Sequence, residues 1–168
     1  MTGHDHLDEG RCATCWTWDP LSATRTGDDP PLDVLTTGQL FFDLIFTGLP
    51  RLPFPGEELY SDGMGSCPGG IANMATAAAR LGLRTGLAAG FGDDAYADWM
   101  WSVLSRDENI DLSASRRFEN FHSAITVSMA FSGDRGMVTH AHDLPESMDD
   151  ALVEAAASRA ATIDLKLV

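Results

Sequence analysis

Four residues of the sequence have chemistry suited to holding a polar ligand: Asp43, Gly69, Gly70 and Asn73. A carboxylate such as that of Asp43 is a charged acceptor, and hydrogen bonds to charged groups are the stronger ones. The glycine pair leaves backbone N–H groups accessible to a flat ligand just before a predicted helix. Asn73 adds an amide that both donates and accepts. Singly, each feature is more often a turn or a cap, so its meaning depends on its surroundings.

A second group of residues near the N-terminus has the chemistry of a metal site. Cys12 and Cys15 are separated by two residues, and His4 and His6 precede them. Two thiolates and two imidazoles form a familiar tetrahedral zinc set. The spacing between the histidines and the cysteines is irregular, however, and no apolar segment nearby would fold around an ion. We therefore predict no metal site, with zinc at these residues as the less favoured alternative.

Charge and composition exclude several classes of partner. The 168 residues carry a formal net charge of −14, and such a surface repels nucleic acid and anionic membranes. Three cysteines are too few and too unevenly spaced for a disulfide framework, which favours a reducing compartment. The N-terminus lacks a basic and apolar leader, and no stretch approaches the roughly 18 apolar residues of a membrane helix. We expect a cytoplasmic protein with neither nucleic-acid nor membrane partners.

The elements that must position these residues are predicted from hydrophobic periodicity and from glycine and proline positions. Residues 1–32 have no apolar periodicity and are predicted to be a disordered tail. The elements predicted after the tail are strands over 34–46 and 56–60, a glycine-rich loop over 61–70, a helix over 71–81, a strand over 85–92, a helix over 94–106, a strand over 123–131 with a return strand over 137–140, a helix over 147–161 and a strand over 162–168.

This alternation predicts an α/β sandwich. The last predicted strand has no helix after it, which would leave one face of a parallel sheet uncovered, and parallel sheets seldom tolerate that. We therefore expect the chain to represent the front part of a longer fold.

The order of the motifs is specific. It is similar to the N-terminal signature of ribokinase-like (PfkB-type) carbohydrate kinases over about residues 34–161. The matching positions are Gly38, Asp43, Leu49-Pro50, Pro55-Gly56-Glu57, Gly69-Gly70, Asn73, Ala75, Arg80-Leu81-Gly82, Gly90 to Asp94, and Ser132 to Arg135. One departure is a segment from the glycine pair to Asn73 that is one residue shorter than is usual in the family.

The resemblance implies a fold and a site. Residues 33–168 would be the N-terminal portion of the kinase domain, a ribokinase-like α/β sandwich truncated after its front half. A small β lid would lie near 47–60 and 111–121 and would pair between subunits as a homodimer. Asp43, Gly69, Gly70 and Asn73 would surround a sugar or nucleoside substrate. We interpret three further histidines as surface or lid residues: His122, His140 and His142.

The resemblance also indicates what the chain lacks. The family's catalytic base is an Asp in a Gly-Ala-Gly-Asp-like motif that begins a helix, whereas Gly90-Phe91-Gly92-Asp93 belongs to the N-terminal signature. The complete enzyme would use ATP and Mg²⁺. We expect this chain to contain no catalytic residue, to bind no ATP tightly and to be inactive alone. The alternative is a non-catalytic sugar-binding or interaction module derived from the same fold.

Overall fold

The computed structural model of the protein describes residues 19–143 together with Asp150 and Glu154. Most of the helix predicted over 147–161, the strand predicted over 162–168 and the possible zinc ligands before Asp19 therefore lie outside the described residues. Within residues 19–143 the elements in chain order are β1 Val34–Thr37, β2 Leu40–Leu49, β3 Gly63–Gly70, α1 Ile71–Arg80, β4 Thr85–Ala88, β5 Gly90–Phe91, α2 Ala95–Ser102 continued by a π-helical turn Val103–Asp107, β6 Arg116–Arg117, β7 Ala124–Phe131 and β8 Asp134–His140. No helix in this part of the chain is long and apolar enough to cross a membrane.

Short parallel strands form one layer of the molecule. Strand β1 pairs with β4, β5 pairs with β6, and Gly86 forms an isolated parallel bridge with Asp111. Because alternate residues of a strand point to opposite faces, Leu87 and Phe91 lie on one face and are completely or almost completely buried. Helices α1 and α2 cover that face and complete the main core. This mixed α/β layer agrees with the predicted fold class.

Local sequence explains both helices. Helix α1 is rich in alanine, the best helix former, and ends where Gly82 adopts φ of 87°. Helix α2 begins at Asp94, whose carboxylate accepts a hydrogen bond from the backbone N–H of Ala97 at 2.9 Å. This is an ordinary N-cap, and it fixes the start of the helix predicted over 94–106.

The opposite face of the layer carries a second buried cluster, to which one residue before β1 contributes. Leu32 is buried and packs with Leu35, Ala88 and Ala114 in a second cluster. Leu32 is the last residue of the predicted tail, so the packed part of the chain begins before residue 33.

A four-stranded sheet forms the second layer, in the order β3-β2-β7-β8. Strand β2 is antiparallel to β3 and parallel to β7, while β7 and β8 form an antiparallel hairpin that turns at Gly133. On the face toward α2, the Phe42 ring lies 4.9 Å from that of Tyr96 and 5.3 Å from that of Trp99, measured between ring centroids. These aromatic contacts join the sheet to the α/β layer.

Two sequence predictions about this sheet differ from the structure. Residues 61–70 were expected as a glycine-rich loop, but most of them form β3, and residues 56–60 form no strand. The segment near 111–121 contains β6, which pairs with β5 in the α/β layer, and its role as a lid stays a prediction. Glycine lowers strand propensity, so pattern alone favours a loop at β3, whereas pairing with the long strand β2 decides the outcome.

Candidate functional site

The structure brings Asp43 of β2 and Gly69 of β3 into direct contact. A Cβ atom at position 69 would lie only 2.0 Å from Asp43 Oδ2 and 2.4 Å from its Cγ. Only glycine therefore leaves room for the Asp43 carboxylate over the β3 backbone. Phe41 is opposite Gly69 in the strand register, and Asp43 is opposite Cys67, so the carboxylate leans diagonally toward the end of β3 that leads into α1.

The junction of β3 and α1 contains the two other predicted site residues. Gly70 has φ of 62°, a left-handed conformation that favours glycine, and an added Cβ would lie 2.4 Å from the Gln39 carbonyl oxygen. The backbone N–H of Ile71 donates to that same oxygen at 3.1 Å. Asn73 follows in the first turn of α1 and is exposed to solvent. Gly70 is thus required by the turn itself, while Asn73 is free to meet a ligand.

The environment of Asp43 disfavours its charged form. Burial raises the pKa of the Asp43 carboxyl, and a hydrogen bond from the Thr126 hydroxyl partly opposes that shift. Burial, together with the Asp43 charge, also raises the pKa of the neighbouring Cys67 thiol. A carboxylate with incomplete hydration has unused acceptor capacity, which suits it to receive hydroxyl donors.

This pKa direction predicts a stability effect for Asp43→Asn. A carboxyl whose pKa is raised by folding contributes stability below its unfolded pKa, and this contribution is lost as the pH rises through the folded pKa. The ionised Asp43 therefore destabilises the fold at neutral pH, and the isosteric amide should raise the melting temperature at pH 7 by a small amount. The gain should shrink as the pH falls toward about 4, where the unfolded carboxyl protonates. Thermal unfolding of both proteins at pH 7 and at about pH 4 measures this gain. A lower melting temperature for Asp43→Asn than for the unmodified protein at pH 7 would contradict the raised pKa of Asp43.

A separate open pocket lies where β2 and β7 leave the α/β layer. It is lined by residues that include Gln39, Met100, Phe121, Ser123 and His142. None of the four predicted site residues lines it. The predicted site is instead a surface formed by one face of the four-stranded sheet and the start of α1.

The aspartates after β5 have structural roles. Asp93 accepts a hydrogen bond from the Asn120 backbone N–H at 2.8 Å. Asp94, besides capping α2, accepts from the Ser123 backbone N–H at 2.7 Å and from its hydroxyl at 2.9 Å. Burial alone would raise the pKa of Asp94, but the hydrogen bonds from Ser123 and Ala97 lower it below the usual value. Asp93 and Asp94 thus fix residues 120–123 against the segment that follows β5.

Three histidines lie near one another, one before β7, one at the end of β8 and one just after it. The ring centroid of His140 lies 6.2 Å from that of His122 and 4.8 Å from that of His142, and His122 Nδ1 lies 3.8 Å from Asp94 Oδ2. All three are exposed, as predicted for surface residues. Among residues 19–143, 150 and 154, no three His, Cys, Asp or Glu side chains converge as a metal-binding set.

Comparison with known proteins identifies the fold. Neither protein-family models nor curated protein sequences match the chain. Solved structures do match: the ribokinase of Arabidopsis thaliana, complexed with ribose and ATP, has a TM-score of 0.57 at 23% identity, over 67% of this chain and 36% of its own. The ribokinase of Cryptococcus neoformans var. grubii serotype A, in complex with ADP, has a TM-score of 0.57 at 28% identity, over 68% and 37%. This chain has the ribokinase-like fold.

The ribokinase-like fold extends to a nucleoside kinase among the matches. That protein, from Methanocaldococcus jannaschii, is described as an archaeal member of the ribokinase family and has a TM-score of 0.54 at 17% identity, over 67% of this chain and 38% of its own. The sequence-based resemblance to ribokinase-like kinases is confirmed at the level of fold. This chain spans little more than a third of the length of the structures that it matches.

Proposed function

We propose that this chain forms the sugar-binding portion of an ATP-dependent kinase that phosphorylates a hydroxyl group of a sugar or nucleoside. The observation that carries the proposal is the Asp43 carboxylate lying over Gly69, beside the start of α1, in a chain with the ribokinase-like fold. The ribose, ATP and ADP named for the matched ribokinases support this class of substrate and phosphate donor.

The arrangement suits a polyol because it offers several kinds of hydrogen-bonding group on the elements that meet at the junction of β3 and α1. Asp43 offers an incompletely hydrated carboxylate that accepts from hydroxyl groups, and the absence of a side chain at Gly69 makes room for that carboxylate. Asn73 offers an exposed amide one helical turn away that can donate and accept. A sugar edge presents alternating hydroxyl donors and acceptors, so it can satisfy these groups together.

The described residues do not fit the phosphate-transferring part of such an enzyme. Asp93 and Asp94 are engaged by Asn120, Ser123 and Ala97, so neither is available as a base. In the complete enzyme ATP would supply the phosphoryl group and Mg²⁺ would neutralise its charge. We propose no catalytic residue in this chain, expect it to be inactive and to bind ATP weakly on its own, and assign its residues only to substrate binding.

Two secondary proposals accompany this function. The four-stranded sheet exposes Met64 on the edge strand β3 and Val138 on the edge strand β8, which supports pairing of the sheet between two subunits. The chain's few cysteines support a reducing, cytoplasmic location.

The test is sugar binding to the protein and to Asp43→Asn. Calorimetric titration with a panel of pentoses, hexoses and nucleosides should find a ligand whose affinity falls roughly 10- to 100-fold in Asp43→Asn. That loss corresponds to a charge-assisted hydrogen bond of about 1.5–3 kcal/mol, at about 1.4 kcal/mol for each tenfold change. Nucleotide affinity should change little, since Asp43 lies outside the phosphate site.

Asp134→Asn is the matched control. Asp134 is the exposed first residue of β8 in the same sheet, and its carboxylate bonds only to the adjacent Arg135 backbone N–H among the contacts that the structure gives it. The Asp134→Asn variant should bind sugar with the affinity of the unmodified protein. Equal losses in the two variants, or no binding of any panel member to the unmodified protein, would refute the proposal. Binding without any turnover, once the chain is joined to the rest of a kinase domain, would favour the non-catalytic module.

A further inference from the structure

An aromatic ring lies beside the Asp43 carboxylate on the proposed sugar-binding surface. Alternate residues of a strand share a face, so Phe41 and Asp43 of β2 project from the same face of the four-stranded sheet. Phe41 is opposite Gly69 in the register of β2 with β3. Its ring leans toward α1, because a Cβ atom at Gly70 would lie 2.7 Å from Phe41 Cδ2 and 3.2 Å from its Cε2. Phe41 therefore contacts the junction of β3 and α1 that contains the other predicted site residues.

Each glycine of the pair accommodates one of these two groups. The Asp43 carboxylate occupies the space of a side chain at Gly69, and the Phe41 ring occupies the space of a side chain at Gly70. Gly69 and Gly70 are consecutive, so their Cα atoms are about 3.8 Å apart. The carboxylate and the ring therefore lie side by side over the end of β3.

The neighbours of Phe41 leave part of its ring open. Across the sheet, Phe41 lies between Gly69 of β3 and Ala124 of β7, which have no side chain and a single methyl group. Phe41 is accordingly only partly buried. On the opposite face of β2, Phe42 packs against the aromatic residues of α2. The attachment of β2 to that helix thus depends on Phe42, and Phe41 is available for another contact.

We infer that Phe41 is a specificity-determining residue: its ring receives the C–H face of a cyclic sugar while Asp43 accepts from hydroxyl groups at the edge of that sugar. The face of an aromatic ring carries partial negative charge, which attracts the weakly positive C–H hydrogens of a sugar ring. An open-chain polyol offers the same hydroxyl groups but no fixed C–H face. The inference rests on the proposed function and narrows its substrate class to cyclic sugars, free or within a nucleoside.

The first test observes the stacked contact directly in the unmodified protein. When a sugar that binds is titrated with the protein, the ring current of Phe41 should move the NMR signals of its C–H protons on one face upfield. The signals should move in the same way with Phe41→Tyr, which keeps a ring, and should move much less with Phe41→Leu, which keeps only apolar bulk. A purely structural role of Phe41 would not produce this pattern.

The second test measures affinity by calorimetric titration. Phe41→Leu should weaken binding of the sugar roughly two- to tenfold, the loss expected for one aromatic contact, and should lose most of the preference for the cyclic sugar over its open-chain alditol. Phe41→Tyr should bind like the unmodified protein. The matched control is Phe46→Leu, which removes a ring from the opposite face of β2 and should leave affinity unchanged.

The outcomes separate this inference from the proposed function. Unchanged affinity in folded Phe41→Leu, or an equal upfield shift with that variant, overturns the role of Phe41 and leaves the proposed function standing. If Phe41→Leu does not fold, the unmodified protein decides, and a bound sugar without any upfield shift overturns the inference. Absence of binding by every sugar refutes the proposed function and the inference with it.

Discussion

Replacement of Asp33 by alanine is expected to lower the free energy of unfolding by roughly 2–3 kcal/mol, the largest single effect among the charged residues considered. The Asp33 side chain is only 8% exposed and joins two separate segments. Its carboxylate accepts from the Arg25 guanidinium at 2.6 Å, from the Arg84 guanidinium at 2.8 Å and from the Arg84 backbone N–H at 2.7 Å. The variant leaves Arg25 and Arg84 without their shared carboxylate and releases the segment before β1.

The loss of stability in Asp33→Ala should be largest near neutral pH and smaller in acid. Hydrogen bonds from Arg25 and Arg84 hold the pKa of Asp33 well below its usual range, although burial opposes them. A carboxyl whose pKa is lowered by folding contributes stability above its unfolded pKa, near 3.9, and loses it as the pH falls toward the folded value. Urea unfolding should therefore show that the difference in free energy of unfolding between the unmodified protein and Asp33→Ala is largest at pH 7 and becomes smaller in the acid range. Asp28→Ala, at an exposed position in the same segment, should be nearly neutral. Equal stability of Asp33→Ala and the unmodified protein at pH 7 would contradict the prediction.

Gly92→Ala is expected to destabilise the fold by about 3 kcal/mol, at the upper end of the range for overpacking. A Cβ atom at position 92 would lie 2.5 Å from the Phe121 carbonyl oxygen and 2.8 Å from the Ser123 backbone nitrogen. Both are backbone atoms, and Ser123 is further fixed by Asp94, so neither can rotate away as a side chain would. Relief would require β5 to separate from the segment that leads into β7.

Gly65→Ala is the control for this substitution. Gly65 lies in the edge strand β3, and an added Cβ there meets no atom within 4 Å. In chemical unfolding, the free energy of unfolding of Gly65→Ala should be close to that of the unmodified protein, and that of Gly92→Ala should be far lower. Similar stabilities for the two variants would mean that the 121–123 segment moves freely, contrary to the contacts described. The glycine at position 92 would then need a physical explanation other than the close approach of backbone atoms.

The elements that could be predicted from the sequence are those in which the intrinsic propensity of the residues and the packing in the fold favour the same secondary structure. Strands β2 and β7 are rich in β-branched and aromatic residues, and α1 is rich in alanine, so pattern and propensity pointed to the observed elements. Strand β3 was missed because its glycines and proline resemble a loop. Its conformation is determined by pairing with β2, and its glycine at position 69 is required by a side chain on that neighbouring strand.

The same distinction applies to the site. Asp43 and the glycine pair could be selected in the sequence because their order resembles a known motif, and the structure does place Asp43 against Gly69. The position of Asp43 opposite Thr126 could not be predicted, because it depends on the register of β7 against β2, and a slip of one residue would turn Thr126 to the other face.

The way the four-stranded sheet is attached to the α/β layer limits how the two layers can move. The start of β2 and the end of β3 are joined at one point, where Ile71 donates to Gln39. The start of β7 is joined at a second point, where Asp94 holds Ser123. Together with the packing of Phe42 on Tyr96 and Trp99, these bonds oppose separation of the sheet from the layer. Because Asp43 and Gly69 lie on adjacent strands of the same sheet, their contact does not depend on how the sheet is seated on the layer.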